Sequence, residues 1–139
     1  MNINTLTIKA QELLQEAMTL ARERKQQSVE PLHIAVAATK EDGSLASYLL
    51  ARVGCNMASL RAELNDLLGR LPRVDGAEDN IFFSRETSAV IQRAVELTSS
   101  FNDRYASVEH IVAALAKERS SVRDVLSRLG VTEKQLLAA

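Results

Sequence analysis

The sequence predicts an all-α fold of eight helices, arranged as two similar four-helix repeats packed as one body. Three observations carry this reading. First, the chain repeats itself. Thr7, Leu20 and His33 recur as Ser84, Leu97 and His110, each 77 residues later, and Gly54 and Leu60 recur as Gly130 and Leu136, 76 residues later. Second, apolar residues recur at the i, i+3, i+4, i+7 spacing that gives a helix one buried stripe. Third, no stretch alternates with the period of a strand, except weakly Ile81-Phe82-Phe83.

Each element follows from local chemistry. Ala10, Leu13, Leu14, Ala17, Leu20 and Ala21 form the stripe of the first helix. Thr7 is placed to cap it, because its hydroxyl can accept from a free N–H of the first turn. Gln26-Gln27-Ser28 breaks this stripe. A short second helix opens at Pro31, where proline's missing N–H costs nothing, and Ile34, Ala37 and Ala38 supply its buried face. Asp42-Gly43-Ser44 is a turn into a third helix, Leu45 to Val53, stopped by Gly54. Asn56 caps a fourth that carries Leu60, Leu64, Leu67 and Leu68.

The second half follows the same plan. Ser84 caps a helix with Val90, Ile91, Ala94, Leu97 and Phe101, and Asn102-Asp103-Arg104 breaks it. Ser107 caps a short helix with Ile111, Ala114 and Leu115 inside. Ser121 to Leu129 ends at Gly130, and Thr132 with Gln135 makes a capping box for the last helix. The expected organisation is one domain over residues 1–139. Repeat one covers about 5–68, a linker about 69–83, and repeat two about 84–139.

Composition narrows the function classes. The chain is 46% hydrophobic and 25% charged, with a formal net charge of −1, which argues against wholesale binding to nucleic acid or an acidic membrane. The basic run Arg22, Arg24, Lys25 is interrupted by Glu23 and reads as the solvated end of a helix. No apolar stretch approaches the roughly 20 residues of a membrane span, and the first residues lack the basic start of a signal peptide. Cys55 is alone, which suits a reducing compartment; the expected location is the cytoplasm.

Reactive constellations are absent from the sequence. There is no phosphate loop, dinucleotide fingerprint, zinc-protease motif or nucleophile elbow. His33 and His110 stand without a ligand set at metal spacing and read as satisfied structural histidines. Cys55 follows a helix-ending glycine without a positioned base, so a nucleophilic role is not expected. No catalytic residue, metal or cofactor is predicted. Two acids stand out instead. Asp103 lies in the break after the fifth helix. Glu109 lies in the first turn of the sixth, where the helix dipole favours an anion. Repeat one has Leu32 in the place of Glu109, so a site built on this acid would occur once.

Several of these segments resemble a known family. Leu6-Thr7-x-x-Ala10, Val29-Glu30-Pro31-Leu32-His33-Ile34 and Ala106-Ser107-Val108-Glu109-His110-Ile111 resemble the duplicated N-terminal domain of the Clp unfoldases. Arg70-Leu71-Pro72-Arg73-Val74-Asp75-Gly76 is similar to the linker of the ClpB disaggregase branch, whose members read L-P-x-V-x-G there. The resemblance covers essentially the whole chain. It implies an eight-helix domain of two pseudo-twofold related four-helix repeats that contacts unfolded or aggregated polypeptide ahead of two ATPase modules in a hexamer that cooperates with DnaK-type chaperones.

The resemblance also implies functional positions at Thr7, Ser84, Asp103 and Glu109, and an apolar groove that maps in part to Ile91 and Leu97. Two departures matter. The ClpC branch uses paired acids to bind phosphoarginine, and Leu32 removes one of the pair here. His110 replaces an apolar residue of some ClpB relatives. The expected function is a non-catalytic, substrate-engaging domain. The alternatives are an adaptor-docking platform of ClpC or ClpA type, or a small helical DNA-binding regulator, which the missing basic face disfavours.

Overall fold

The computed structural model describes residues 5–76, 79–100 and 104–139, apart from the side chain of Ser100. Its helices are α1 (Ile8–Glu23), α2 (Pro31–Ala38), α3 (Leu45–Arg52) and α4 (Met57–Arg70) in the first half. Those of the second half are α5 (Arg85–Ser100), α6 (Val108–Leu115), α7 (Ser121–Arg128) and α8 (Glu133–Ala138). The all-α class, the eight helices and their twofold relation are as the sequence predicts. The first pair of each half match in length, 16 residues for α1 and α5 and eight for α2 and α6.

Four of the caps are those the sequence predicts, while α7 is capped by Ser120, which the sequence did not single out. Thr7 Oγ1 accepts from Ala10 N at 3.1 Å and Ser84 Oγ from Thr87 N at 3.1 Å. Asn56 Oδ1 accepts from Ser59 N at 3.0 Å, and Thr132 and Gln135 bond reciprocally. Gly54 (φ 88°) and Gly130 (φ 81°) end α3 and α7 in left-handed backbone. In each case the residue that follows donates to a carbonyl of the last turn, Cys55 to Leu50 and Val131 to Leu126. α1 ends the same way without a glycine. Lys25 takes φ 56°, and Gln26 N donates to Ala21 O at 2.9 Å.

Three details differ from the sequence expectation. α4 runs through Gly69 to Arg70, so the connection between the halves begins later than the linker expected from about residue 69. α2 and α6 do not present one buried face. Pro31 to Ala35 and Ala38 are all buried, as are His110 to Leu115, while Ala37 is only half-buried. Apart from the first turn of α6, where Glu109 is exposed, both helices are largely enclosed. α1 and α4 pack on α2, α5 and α8 on α6, and the halves cross, with α3 on α6 and α7 on α2. A helix apolar all round belongs at the centre of such a body.

The third difference is β1 (Ser28–Val29), which pairs in parallel with β2 (Phe82–Phe83), the one stretch the sequence marks as weakly strand-like. Two residues are too few for periodicity to show. A lone parallel bridge joins Leu6 to Ala106 in the same manner. Thr7 N donates to Ala106 O at 2.9 Å, and Ser84 N donates to Val29 O at 3.1 Å. These are one contact written twice. The segment leading into α1 pairs with the segment leading into α6, and that leading into α5 pairs with that leading into α2. Each half therefore completes itself on the other.

Candidate functional site

The crossed pairing decides which predicted residues meet. The Leu6–Ala106 bridge lays the start of α1 along the start of α6. Thr7 and the first turn of α6, with Glu109, therefore share one corner of the molecule. Glu109 is exposed there. Ile8, the first residue of α1, is 73% exposed, and Tyr105 is 45% exposed with the Arg104 guanidinium 5.9 Å from its ring centre. Cation and ring at that distance attract one another. The corner thus combines apolar surface, an acid and two helix starts whose first N–H groups point outward.

Ser84 sits at the twofold-related corner instead. It is buried, and its hydroxyl meets Thr87 Oγ1 at 3.0 Å, while Thr87 Oγ1 donates to Val29 O at 2.7 Å. Its visible work is to hold α5 to β1. Beside it lies a groove of about 240 Å³, lined by Glu30, Pro31, Leu32, Leu71, Glu86, Arg119, Ser120 and Ser121. Asp103 lies outside the described residues.

Ile91 and Leu97 require a correction. They are 1% and 4% exposed and belong to the core shared by the two halves. The groove expected from them is not open. The same stripe that identified them as one face of α5 is the stripe the core consumes, so neither offers surface to a partner.

The two histidines occupy matched sites. Glu30 N donates to His33 Nδ1 at 2.8 Å, and Ser107 N donates to His110 Nδ1 at 3.0 Å. Each imidazole does what a glutamate or glutamine does at this place in a capping box, accepting from the residue before the helix. A backbone N–H can only donate, so Nδ1 of His33 carries no proton and Nε2 does. Nε2 then donates to Gln26 Oε1 at 2.7 Å. Burial first, and then the Arg24 charge, hold the His33 pKa down at about 4.

Cys55 is buried, and burial pushes its thiol pKa up, the opposite of what a nucleophile needs. Among the described residues, no three acids, histidines or cysteines gather as a metal site would require, and no helix is long and apolar enough to cross a membrane.

The sequence reading missed Ile8 and Tyr105, together with Leu45 (45% exposed) and Tyr48 (57% exposed) on α3. A signal was present. Ile8 lies off the Ala10-Leu13-Leu14-Ala17 stripe, so an apolar side chain there has no core to enter. The loop before α3 is braced from α4 by Arg61, whose Nε donates to Thr39 O at 2.8 Å and whose Nη1 lies 2.8 Å from Asp42 Oδ1.

With this geometry in place, the known relatives can be set beside it. The family model of the Clp repeat (R) N-terminal domain matches residues 5–136. The chain belongs to this family. The ClpB chaperone of Porphyromonas gingivalis is 39% identical over 139 residues, which is all of this Clp repeat domain and 16% of that protein. ClpB of Bacteroides thetaiotaomicron is 35% identical over 136 residues, covering 98% of the domain and 16% of the relative. The Clp repeat domain thus spans about one sixth of the ClpB proteins it matches. Among solved structures, the Hsp104 N-terminal domain of Candida albicans superposes with a TM-score of 0.82 at 21% identity, covering 96% of this chain and 87% of that one. The ClpD N-terminal domain of Arabidopsis thaliana superposes with a TM-score of 0.70 at 22% identity, covering 99% and 95%. These two likenesses establish a shared fold.

Proposed function

We propose that this Clp repeat domain is a non-catalytic module that engages unfolded or aggregated polypeptide for a ClpB-type, ATP-driven hexameric disaggregase in the cytoplasm. The observation that carries the reading is the corner at the starts of α1 and α6. Ile8 and Tyr105 stand in water there beside Thr7 and Glu109. An apolar surface of this small size supports weak capture and fast release, as suits a module that passes its cargo on. The raised Cys55 pKa and the fully engaged His33 further support a binding role over a chemical one.

The test is titration of labelled, unfolded casein with the isolated domain, with no adaptor added. Capture should be weak and should lose little strength between low and high salt, because its main term is apolar. Capture that needs an adaptor protein, or that vanishes at high salt, would overturn the reading.

A further inference from the structure

Two aspartates in the chain are followed directly by glycine: Asp42–Gly43 between α2 and α3, and Asp75–Gly76 between the halves. This pair of residue types carries a reaction of its own. The main-chain nitrogen that follows an aspartate can attack the side-chain carboxyl and close a five-membered imide ring. Glycine permits this best, because no Cβ shields its nitrogen and its backbone rotates freely. Whether the ring closes then depends on what holds the carboxyl and the chain around it. The two steps differ sharply in this respect.

Asp42 is held. Its Oδ1 lies 2.8 Å from Arg61 Nη1. The guanidinium is itself fixed, with Nε donating to Thr39 O at 2.8 Å and Nη2 to Ser47 Oγ at 3.1 Å. The backbone around the step is tied as well. Ser44 N donates to Glu41 O at 3.2 Å, Ser44 Oγ to Ala38 O at 2.8 Å and Ser47 Oγ to Glu41 O at 2.8 Å. To reach Gly43 N, the carboxyl has to leave a charge-assisted bond and the turn has to open.

Asp75 has none of this bracing. Its side chain is fully exposed, and Lys25 Nζ stands 4.0 Å away on a side chain that is itself half exposed. Attraction between exposed groups at that distance is slight. Gly76 takes φ 80°, the left-handed backbone that suits glycine, and a Cβ added there would meet nothing within 4 Å. Among the described residues, no backbone carbonyl takes its N–H. The ties on either side of the step are Val74 N to Lys25 O at 2.8 Å and Asp79 N to Gly76 O at 3.3 Å.

From this contrast we propose that Asp75 is a site of spontaneous isomerisation to isoaspartate, and that Arg61 protects Asp42 from the same change. Gly76 N forms a bond to Asp75 Cγ. One carboxyl oxygen leaves as water, carrying the amide proton and the carboxyl proton. Water then opens the imide at one of its two carbonyls. Opening at Cγ restores aspartate. Opening at the main-chain carbonyl carbon leaves the chain running through Cβ and Cγ, with a free α-carboxylate. No oxidant, reductant or cofactor enters, and the net mass is unchanged. The product lengthens by one atom the main chain of the segment that joins the halves.

The unaltered domain is kept for several weeks at physiological temperature and neutral pH. Isoaspartate is counted by transfer of a labelled methyl group by a purified isoaspartyl methyltransferase, and located by electron-transfer fragmentation of the peptides. It should accumulate at Asp75 roughly tenfold faster than at Asp42. Asp75→Glu should abolish the signal there, because a glutamate must close a six-membered ring. Arg61→Gln, shown to be folded by circular dichroism, should bring Asp42 close to the rate of Asp75 and leave Asp75 as it was. The comparison of the two steps within one chain needs no variant, so it stands even where Arg61→Gln does not fold. An Asp75 that stays unmodified, or equal accumulation at both steps in the unaltered domain, would refute the proposal. A folded Arg61→Gln in which Asp42 still resists would remove Arg61 from it.

Discussion

At the scale of single residues, His33 shows how a side chain can look catalytic and be architectural. Its two nitrogens are committed, one to a backbone N–H and one to Gln26, in a site with no solvent. This has a pH consequence with a definite sign. An unfolded histidine takes up a proton near pH 6.5, but His33 in the folded chain resists until about 4. The unfolded state thus binds more protons between these values. Stability from this group is complete above pH 6.5, declines as pH falls toward 4, and is level below that. The decline should reach about 3 kcal/mol. Urea melts at pH 7 and pH 4.5 measure it, and His33→Gln, which keeps an acceptor at the same place, should flatten the difference. An equally steep fall in His33→Gln would assign the effect to other groups.

The two caps also diverge at this scale. Thr7→Ala removes one bond on a partly exposed hydroxyl and should cost about 0.5–1 kcal/mol. Ser84→Ala removes a buried hydroxyl that also meets Thr87 and should cost more, about 1–2 kcal/mol. Denaturant midpoints of the two variants give the order directly.

At the scale of elements, helix starts and stops were legible because they depend on a few neighbouring atoms. Thr7, Ser44, Asn56, Ser84 and Thr132 each cap through their own hydroxyl or amide oxygen, and Pro31 takes the first position of its helix. What local chemistry does not contain is which helix is central. α2 and α6 read as amphipathic from Ile34 and Ile111, yet they are enclosed because helices of both halves reach each of them. The functional corner was half legible for the same reason. Thr7 and Glu109 were visible as helix starts, but their meeting depends on a bridge between residues a hundred positions apart. Ile91 and Leu97 were misread because a stripe that fits a groove fits a core equally well. One element end invites improvement. Lys25 holds the left-handed position that glycine occupies after α3 and α7. Lys25→Gly should raise stability by about 0.5–1 kcal/mol, seen as a higher melting temperature with unchanged helix content.

At the scale of the whole molecule, the two halves share one core and two reciprocal pairings, so they should melt together. Calorimetry should show a single transition whose calorimetric and van't Hoff enthalpies agree. The fragment 1–76 lacks both β2 and the Ala106 segment and should not give a folded monomer; a helical, monomeric fragment in sedimentation would contradict this. The crossed lead segments also bear on how such a chain arises. If the connection between the halves were cut and the halves made identical, the same contacts would hold two copies together by exchange of their first segments. The present chain has the form of an exchanged homodimer fused end to end. Fusion frees the copies from being identical, since a mutation now alters one of two equivalent surfaces instead of both. A symmetric ancestor could offer only paired, matching faces. Joining its subunits is what allows the two faces to diverge, with Ile8 exposed on one where its mate is Arg85, and Phe82 exposed on the other where its mate is Thr5.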